Sequence, residues 1–426
     1  MIEHPNPYQA RVVDETLLTL MRAAGAVEIV GPKWCGKTTT AEQLANSAVY
    51  FQDPDTRQAN LQLAASRPSL LLQGEKPVLL DEWQDAPSIW DAVRFAVDRD
   101  SRPGQFLLTG SATPSKAAEG QVRHSGTGRF LKLRMRPMSL YESGESNGQV
   151  SLSELFHSVE PAAQSLLSLE GLAQAIVRGG WPATVLHTGG DPLATSRGYL
   201  ESLAESDISK VDGMEKNPRR VRLLLRSLAR NESTQAAMTT LRADMAADEG
   251  SVSVNTIALY LNALRRLFVL DEQEAWPEGA RSKVAQRSSP VRRFCDPSLA
   301  TAALGITADK LLTDYSTLGL LFESLCIRDL RVYAEASGAS VFHYRDARDL
   351  ECDAIVENLD GSWSAFEAKL TASGFDDAAA NLLNIKKHVR SQHGGEASFL
   401  AILTAEPYGY LRTDGVLVLP LACLKP

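Results

Sequence analysis

Short apolar runs alternate with helical patterns over residues 26–112. A short continuous apolar run is typical of a strand that is buried on both faces. The predicted strands of this kind are Ala26–Val30, Pro77–Leu80 and Gln105–Leu108, and the predicted helices are Thr38–Ala45 and residues 87–99. Leu131–Arg136 alternates apolar and basic residues, which predicts a half-buried strand. Strands that alternate with helices favour a parallel α/β sheet.

The pattern becomes mainly helical after a polar, turn-rich stretch at Ser143–Gln149, which predicts a domain boundary. From about residue 321 a helix leads into strands and a final αβ unit. The predicted middle helices are residues 219–230, a helix that Ser233 and Thr234 open and that runs to about Met245, and Val254–Phe268 with Ser253 as its cap. Short connections with Gly250 at the turn favour a helix-turn-helix, which would either place its third helix in DNA or serve as a structural or protein-docking module. The predicted domains are residues 1–145, 151–293 and 294–426.

Residues 31–38 match the phosphate-binding pattern GxxxxGK[ST] without a gap. The glycines let the backbone curl so that N–H groups point at phosphate oxygens, and the following helix adds the positive end of its dipole. Lys37 is expected to reach the β- and γ-phosphates of ATP, and Thr38 to ligate Mg²⁺. The predicted nucleotide-binding set is Gly31, Pro32, Lys33, Trp34, Cys35, Gly36, Lys37, Thr38 and Thr39, together with Asp81, Thr109 and Ser111.

Two later strands and one arginine complete the predicted nucleotide site. Asp81 ends an apolar strand and is expected to hold Mg²⁺, while Glu82 would orient or deprotonate the attacking water. Thr109 and Ser111 end the next strand and could sense the γ-phosphate, with loop capping as the alternative. Arg129 is predicted to be either an arginine finger, in cis or toward a neighbouring chain, or a surface residue.

The segments GPKWCGKTTT, LLDEWQ, LLTGSAT and GRFLKLRMRPMSLYE resemble those of the prokaryotic AAA-type ATP-binding proteins that carry a C-terminal domain of unknown function. Residues 179–182 (GGWP), followed by a helix ending in ESDISK, resemble the linker of that group, although its third position is more often Phe. The resemblance covers nearly the whole chain. It implies an α/β, AAA+-like P-loop ATPase, then a helical winged-helix segment, then an α/β domain with a restriction-nuclease-like fold.

Three carboxylates and a lysine form the predicted C-terminal site. Asn358–Gly361 predicts a hairpin turn, and Asp353 and Glu367 are equidistant from residue 360. A three-residue loop centred there would make these two acids direct cross-strand neighbours, with Lys369 on the same face. Two like charges held so close predict a divalent metal between them, and Lys369 would position or activate its bound water.

With Glu323 on the preceding helix, this set resembles the PD-(D/E)xK nuclease core. The resemblance implies that Glu323, Asp353 and Glu367 are metal ligands and that Lys369 is catalytic. Cys352 stands where that core usually has Pro. The alternative is a vestigial core, in which Glu367 and Lys369 form a solvated ion pair.

Composition narrows the class without identifying a function. A hydrophobic content of 44% and a charged content of 23% exclude a collagen-like, disulfide-scaffold or largely disordered chain. No signal-peptide pattern and no membrane-length apolar run occur, and five scattered cysteines lack zinc or CxxC spacing. We therefore expect reduced thiols, no membrane partner and a cytoplasmic location.

Charge is distributed unevenly along the chain, whose formal net charge is −8. Residues 215–293 carry 14 Lys+Arg against 9 Asp+Glu, a net of +5, while residues 294–426 carry 11 against 18, a net of −7. Any contact with DNA is therefore expected in residues 215–293, although a solvated face would have the same composition.

The sequence thus predicts Mg²⁺-dependent ATP hydrolysis that regulates a DNA-acting, nuclease-like module. The alternative is a nucleotide-gated, protein-binding switch whose nuclease-like domain is inactive. A homo-oligomer and a protein partner are left open.

Overall fold

The computed structural model describes residues 8–113, 125–158, 162–187, 189–211, 213–249, 252–277, 289–346, 350–393 and 395–426. The chain packs into two compact units that each draw on separate stretches of sequence. The first comprises Met1–Pro137, Leu203–Asn217 and Leu259–Val269, and the second comprises Met138–Ser202, Pro218–Ala258 and Leu270–Pro426. The three domains expected from the sequence remain a prediction about sequence modules.

The first unit is built on a parallel sheet, as the alternation of strands and helices predicts. Its strands follow the order β2-β3-β4-β1-β5, and each neighbouring pair is parallel. They are β1 (Ala26–Val30), β2 (Ser47–Tyr50), β3 (Val78–Asp81), β4 (Phe106–Gly110) and β5 (Phe130–Arg134). Four of these strands were predicted. The edge strand β2 was missed, although residues 48–51 form a short apolar run; the strand itself is only half-buried.

Helices cover both faces of this sheet, because alternate residues of each central strand point to opposite sides. Ala26 packs in a core with Trp83, whereas Val27 packs in a second core with Leu17. The helices of this unit are Val13–Ala23, Lys37–Glu42, Arg57–Ser66, Ser88–Arg99 and Ile208–Lys210, with 3₁₀ turns at Pro68–Leu72 and Trp83–Asp85 and a π-helical turn at Leu203–Asp207.

The second unit contains a mixed seven-stranded sheet in the order β7-β12-β13-β11-β10-β9-β8. Its strands are β7 (Ala163–Gln164), β8 (Ser340–Arg345), β9 (Glu351–Glu357), β10 (Trp363–Lys369), β11 (Leu400–Thr404), β12 (Tyr408–Leu411) and β13 (Leu417–Pro420), and a separate pair joins β6 (Val150–Ser151) to β14 (Leu424–Lys425). One core lies between this sheet and the helix Phe375–His393, where Leu382 packs with Ile355 and Ile402.

Further helices complete the second unit. They are Leu140–Ser143, Leu169–Arg178, Pro182–Leu186, Pro192–Ser202, Pro297–Leu304, Ala308–Leu311 and Tyr315–Ala336, with 3₁₀ turns at Glu154–Phe156, Ala372–Gly374 and Leu421–Cys423. Within the described ranges, no helix combines the length and the apolar character needed to cross a bilayer.

The three middle helices form at Pro218–Arg230, Met238–Glu249 and Val254–Arg266. The second begins later than predicted, because Ser233 has a left-handed φ of 63° and Thr234 forms a β-bridge with Arg292. The hydroxyl of Ser253 accepts the backbone N–H of Thr256, which confirms the predicted cap. Gly250 lies outside the described residues.

Candidate functional site

The phosphate-binding pattern forms a tight loop between β1 and the helix Lys37–Glu42. Gly36 and Trp34 have left-handed φ values of 100° and 65°. Gly31 approaches the chain so closely that a Cβ there would lie 2.2 Å from the backbone oxygen of Met135. Both glycines are therefore required by the geometry of the loop, while the Trp34 side chain points away and is 61% exposed.

Lys37 lies folded over this loop, where its Nζ donates to the backbone oxygen of Pro32 at 2.8 Å. Arg11, which was not predicted from the sequence, holds the loop through side-chain hydrogen bonds. Its guanidinium donates to the oxygen of Cys35 at 2.7 Å and to that of Arg136 at 2.8 Å. No local pattern marks Arg11, because its partners are 24 and 125 residues away along the chain.

Asp81 connects the loop to the strand ends. Its Oδ1 accepts hydrogen bonds from the hydroxyls of Thr38 and Thr109, both at 2.6 Å. Burial raises the pKa of Asp81, while these two hydroxyl bonds oppose the shift. The predicted magnesium ligands Thr38 and Asp81 are thus brought together. A hydroxyl beside one carboxylate suits Mg²⁺, which takes few protein ligands and otherwise binds phosphates and water.

Glu82 follows β3 in a left-handed conformation, with φ of 54°. Its backbone N–H donates to the hydroxyl of Thr109 at 3.0 Å, and its Oε2 accepts from the hydroxyl of Ser111 at 2.8 Å. The side-chain amide of Gln84 donates to the same oxygen. The structure therefore brings both predicted hydroxyl residues to the acids at the carboxyl edge of the sheet. The bond from Gln84 was not anticipated.

Arg129 lies at the amino edge of the sheet, whereas the phosphate loop follows the carboxyl end of β1. It directly precedes β5, which runs parallel to β1 with Phe130 opposite Ala26. The backbone N–H of Ala26 donates to the oxygen of Arg129 at 3.2 Å, and the guanidinium pairs with Asp98 at 2.7 Å. The structure does not bring Arg129 to the phosphate loop of its own chain. Its role toward a neighbouring chain remains a prediction.

The hairpin between β9 and β10 has the predicted register. Asn358 donates its backbone N–H to Ser362, and the paired residues of the two strands run from Glu357–Trp363 to Ala354–Phe366. One further step along this register places Asp353 opposite Glu367. The turn at residues 358–361 is therefore confirmed, and its loop is centred on residue 360 as predicted.

Hydrogen bonds hold the strand carboxylates in place. Asp353 Oδ2 accepts the backbone N–H of Ala368 at 2.8 Å. The two oxygens of Glu367 accept from Asn381 at 2.8 Å and from Lys369 Nζ at 2.7 Å. The Asn381 contact was not anticipated, because this residue lies on the helix Phe375–His393 rather than on the hairpin.

Glu323 is held by a partner that the sequence reasoning also missed. Its Oε1 accepts from the Arg293 guanidinium at 2.7 Å, and the Arg293 side chain is 3% exposed. Arg293 Nε donates to Gln273 Oε1 at 3.1 Å, while the amide of Gln273 donates to the backbone oxygen of Asp353 at 2.9 Å. Glu323 and β9 are thereby linked through Arg293 and Gln273.

Among the four predicted C-terminal groups, the charges of neighbouring members contribute to the pKa shifts of Glu323, Glu367 and Lys369. Burial, reinforced by the charge of Asp353, raises the pKa of Glu323 and that of Glu367 to about 7. Burial alone would lower the pKa of Lys369, but the charges of Asp353 and Glu367 outweigh it and raise that pKa. Such shifts are common at functional sites, although structural ion pairs also produce them.

A metal does not fit these carboxylates as the side chains stand. Across the described parts of the chain, no group of three or more His, Cys, Asp or Glu is arranged to hold a metal ion. Arg293 already pairs with Glu323, and Lys369 already pairs with Glu367.

Three family models match successive parts of the chain. Residues 24–144 match the model described as AAA domain. Residues 169–310 match Domain of unknown function (DUF8612), and residues 318–424 match Domain of unknown function (DUF4143). The AAA match contains the whole loop and strand-end arrangement described above.

Two mycobacterial proteins are similar over most of the chain. Uncharacterized protein Rv2008c of Mycobacterium tuberculosis and Uncharacterized protein Mb2031c of Mycobacterium bovis are each 26% identical over 357 residues, which cover 83% of this chain and 72% of the relative. Among solved structures, the Walker-type ATPase PABY2304 of Pyrococcus abyssi is 14% identical, with a TM-score of 0.41 over 68% of this chain and 94% of that chain. The AAA match and the loop geometry together identify an AAA-type P-loop domain, of the kind that binds and hydrolyses ATP.

Proposed function

We propose that the first unit performs Mg²⁺-dependent hydrolysis of ATP. The observation that carries the proposal is the convergence of Thr38, Asp81 and Glu82 at the carboxyl edge of the sheet, beside the glycine loop. A ligand phosphate there meets inward-facing backbone N–H groups and the start of a helix, both of which favour anions.

Each residue has a separate task in this proposal. Lys37 leaves the oxygen of Pro32 and pairs with the β- and γ-phosphates. Thr38 and Asp81 would hold Mg²⁺, which supplies charge neutralisation at the phosphates when bound. Glu82, whose carboxylate is oriented by Ser111, positions the attacking water and accepts its proton.

The experiment that tests this function measures phosphate release from ATP by the purified full chain. We expect hydrolysis with Mg²⁺ and none with excess EDTA, because removal of the metal leaves the phosphate charge unneutralised. Restoring Mg²⁺ should restore the activity. Equal phosphate release in EDTA, or no ATP binding with Mg²⁺ present, would contradict the proposal.

As a second candidate function, we propose that Glu323, Asp353, Glu367 and Lys369 form a metal-dependent nuclease-like site that the ATPase regulates. The observation that favours it is the strand register, which sets Asp353 opposite Glu367 with Lys369 two residues further on. The shared charge environment of the four groups also supports it. DNA contact is proposed for the mildly basic residues 215–293.

The ion pairs at these acids separate this candidate from its alternative. A metal requires Arg293 to release Glu323 and Lys369 to release Glu367. If the pairs persist, the domain is an inactive core, and the chain is better understood as a nucleotide-gated switch that holds a protein partner. The Arg293–Glu323 pair is the costlier one to break, since Arg293 is 3% exposed and would be left uncompensated, whereas Lys369 is 34% exposed.

A cleavage assay on the Lys369→Ala chain decides between the two. If metal binding displaces these ion pairs, the unmodified chain should nick DNA with Mg²⁺ or Mn²⁺, and the variant should lose at least about 100-fold of that rate, in line with the loss of a positioned proton-transfer group. Lys387→Ala removes an exposed lysine of the same unit and serves as the control. Single- and double-stranded DNA and RNA are each tested with and without ATP.

Two results would contradict the nuclease candidate. One is equal cleavage by Lys369→Ala and the unmodified chain, which would indicate a contaminant or another site. The other is no cleavage under any condition, together with ATP-dependent retention of a protein and no retention of DNA at low salt, which favours the switch.

A further inference from the structure

A cleft of about 520 Å³ opens beside the phosphate loop, entirely within the first unit. This volume lies in the range of small-molecule sites. The lining residues that matter here are Lys33, Arg57, Gln84, Ser111, Asp207 and Lys210. They come from the loop, from the helix Arg57–Ser66, from the ends of β3 and β4, and from the segment Leu203–Asn217.

One wall of the cleft is continuous with the surroundings of Glu82. Gln84 and Ser111, which both line the cleft, also hydrogen-bond to the carboxylate of Glu82. A water positioned by Glu82 therefore lies at this wall. Since the water attacks the terminal phosphoryl group in line with the leaving oxygen, that group must face the cleft.

Among the described residues, the cleft is lined by three cations, Lys33, Arg57 and Lys210, and Lys33 is already paired. Lys33 Nζ lies 2.8 Å from Asp207 Oδ2, and the Asp207 side chain is 13% exposed. Asp207 ends the π-helical turn Leu203–Asp207, an irregularity that is frequent at functional sites. Lys33 is thereby fixed at the rim of the loop with its charge compensated.

Arg57 differs from Lys33 in having an uncommitted side chain. It occupies the first turn of the helix Arg57–Ser66 and is exposed. Among the residues that the structure describes, its guanidinium has no hydrogen-bond or ion-pair partner. Burial raises the pKa of Asp85, the residue after Gln84, and the positive charge of Arg57 opposes that shift. The Asp85 carboxylate accepts a hydrogen bond from Gln52 at 3.2 Å. Arg57 therefore lines the same cleft as Gln84 and Ser111, the two residues that hydrogen-bond to Glu82.

We propose that Arg57 contacts the terminal phosphoryl group of bound ATP across this cleft, as the cation that the chain itself supplies to the transition state. The proposal rests on the ATPase function proposed above. A planar guanidinium can donate two parallel hydrogen bonds to phosphate oxygens, which an ammonium cannot do. Arg57 takes the task that the sequence offered as one of the possibilities for Arg129, which lies at the amino edge of the sheet.

The test compares Arg57→Gln with Arg67→Gln, a matched loss of an exposed arginine at the other end of the same helix. We expect Arg57→Gln to lower kcat by at least about 100-fold, a conservative figure for an arginine acting on phosphoryl transfer. Its preference for ATP over ADP in equilibrium binding should also fall, while its Kd for ADP stays unchanged. Arg57→Lys should recover only part of kcat. Arg67→Gln should behave as the unmodified chain does.

Unchanged kcat and an unchanged ratio of ATP to ADP affinity in Arg57→Gln would overturn the inference and leave the ATPase function standing. If the unmodified chain binds ATP without hydrolysing it, the ATPase function fails and the affinity ratio alone decides about Arg57. Thermal unfolding of each variant checks that the fold is intact, and Arg57→Lys provides the same comparison if Arg57→Gln unfolds.

Discussion

Replacing Lys37 with alanine is expected to weaken ATP binding by up to about 100-fold and to abolish hydrolysis. Lys37 is 5% exposed and its Nζ is held at the loop by the oxygen of Pro32, ready to exchange that carbonyl for phosphate. A hydrogen bond between charged groups contributes up to about 3 kcal/mol, which corresponds to about 100-fold in affinity. Isothermal titration with ATP and Mg²⁺ measures the loss directly.

The matched control for Lys37→Ala is Arg102→Ala, which removes one positive charge from the same unit. Arg102 is 80% exposed and pairs only with the exposed Asp100 among the described residues. We expect its ATP affinity to equal that of the unmodified chain. Circular dichroism of both variants shows whether the fold survives. A folded Lys37→Ala chain with normal ATP turnover would overturn the assignment of the loop.

Replacing Glu82 with glutamine is expected to separate binding from chemistry. The amide keeps the shape of the side chain and can still accept from Ser111, so ATP affinity should stay within a few-fold of normal. An amide cannot accept the proton of the attacking water, and loss of general-base catalysis typically costs about 10²–10⁴ in rate. We therefore expect a chain that binds ATP and hydrolyses it at least about 100-fold more slowly.

Single-turnover phosphate release, measured beside equilibrium ATP binding, tests this separation. Glu75→Gln, an exposed acid of the same unit, serves as the control and should turn over normally. Normal turnover in Glu82→Gln would show that another group accepts the proton. Loss of ATP binding in Glu82→Gln would instead assign Glu82 to the binding site.

The fold of the first unit could be predicted well, because neighbouring residues in the sequence mark its strands and its phosphate loop. Four of the five strands carry an apolar run or an alternating pattern that was recognised, and the glycine loop is a contiguous pattern. The position of Arg129 is instructive. The residue before a strand of a parallel sheet lies at the amino edge, away from a phosphate loop that follows the carboxyl end of β1. Its position could have been deduced from the predicted sheet, whereas the sequence around Arg57 carries no pattern at all.

In the second unit, too, the local features could be predicted and the long-range contacts could not. The register that sets Asp353 opposite Glu367 follows from the centre of one hairpin, so arithmetic on the sequence predicted it. Arg293 and Gln273 reach these acids from distant parts of the chain, and no spacing rule connects them. Their presence changes the chemistry, because Glu323 faces a guanidinium rather than an open metal site.

The parallel sheet, the phosphate loop, the order of the acids along the chain and the hairpin register could all be predicted from local sequence. Each of these depends on neighbouring residues, through periodicity, backbone freedom or strand pairing. Which charges meet depends instead on the folded chain: Arg11 contacts the loop, Asp207 pairs with Lys33, and Arg293 pairs with Glu323. Charges interact through space, so residues far apart in sequence set the electrostatics of both sites.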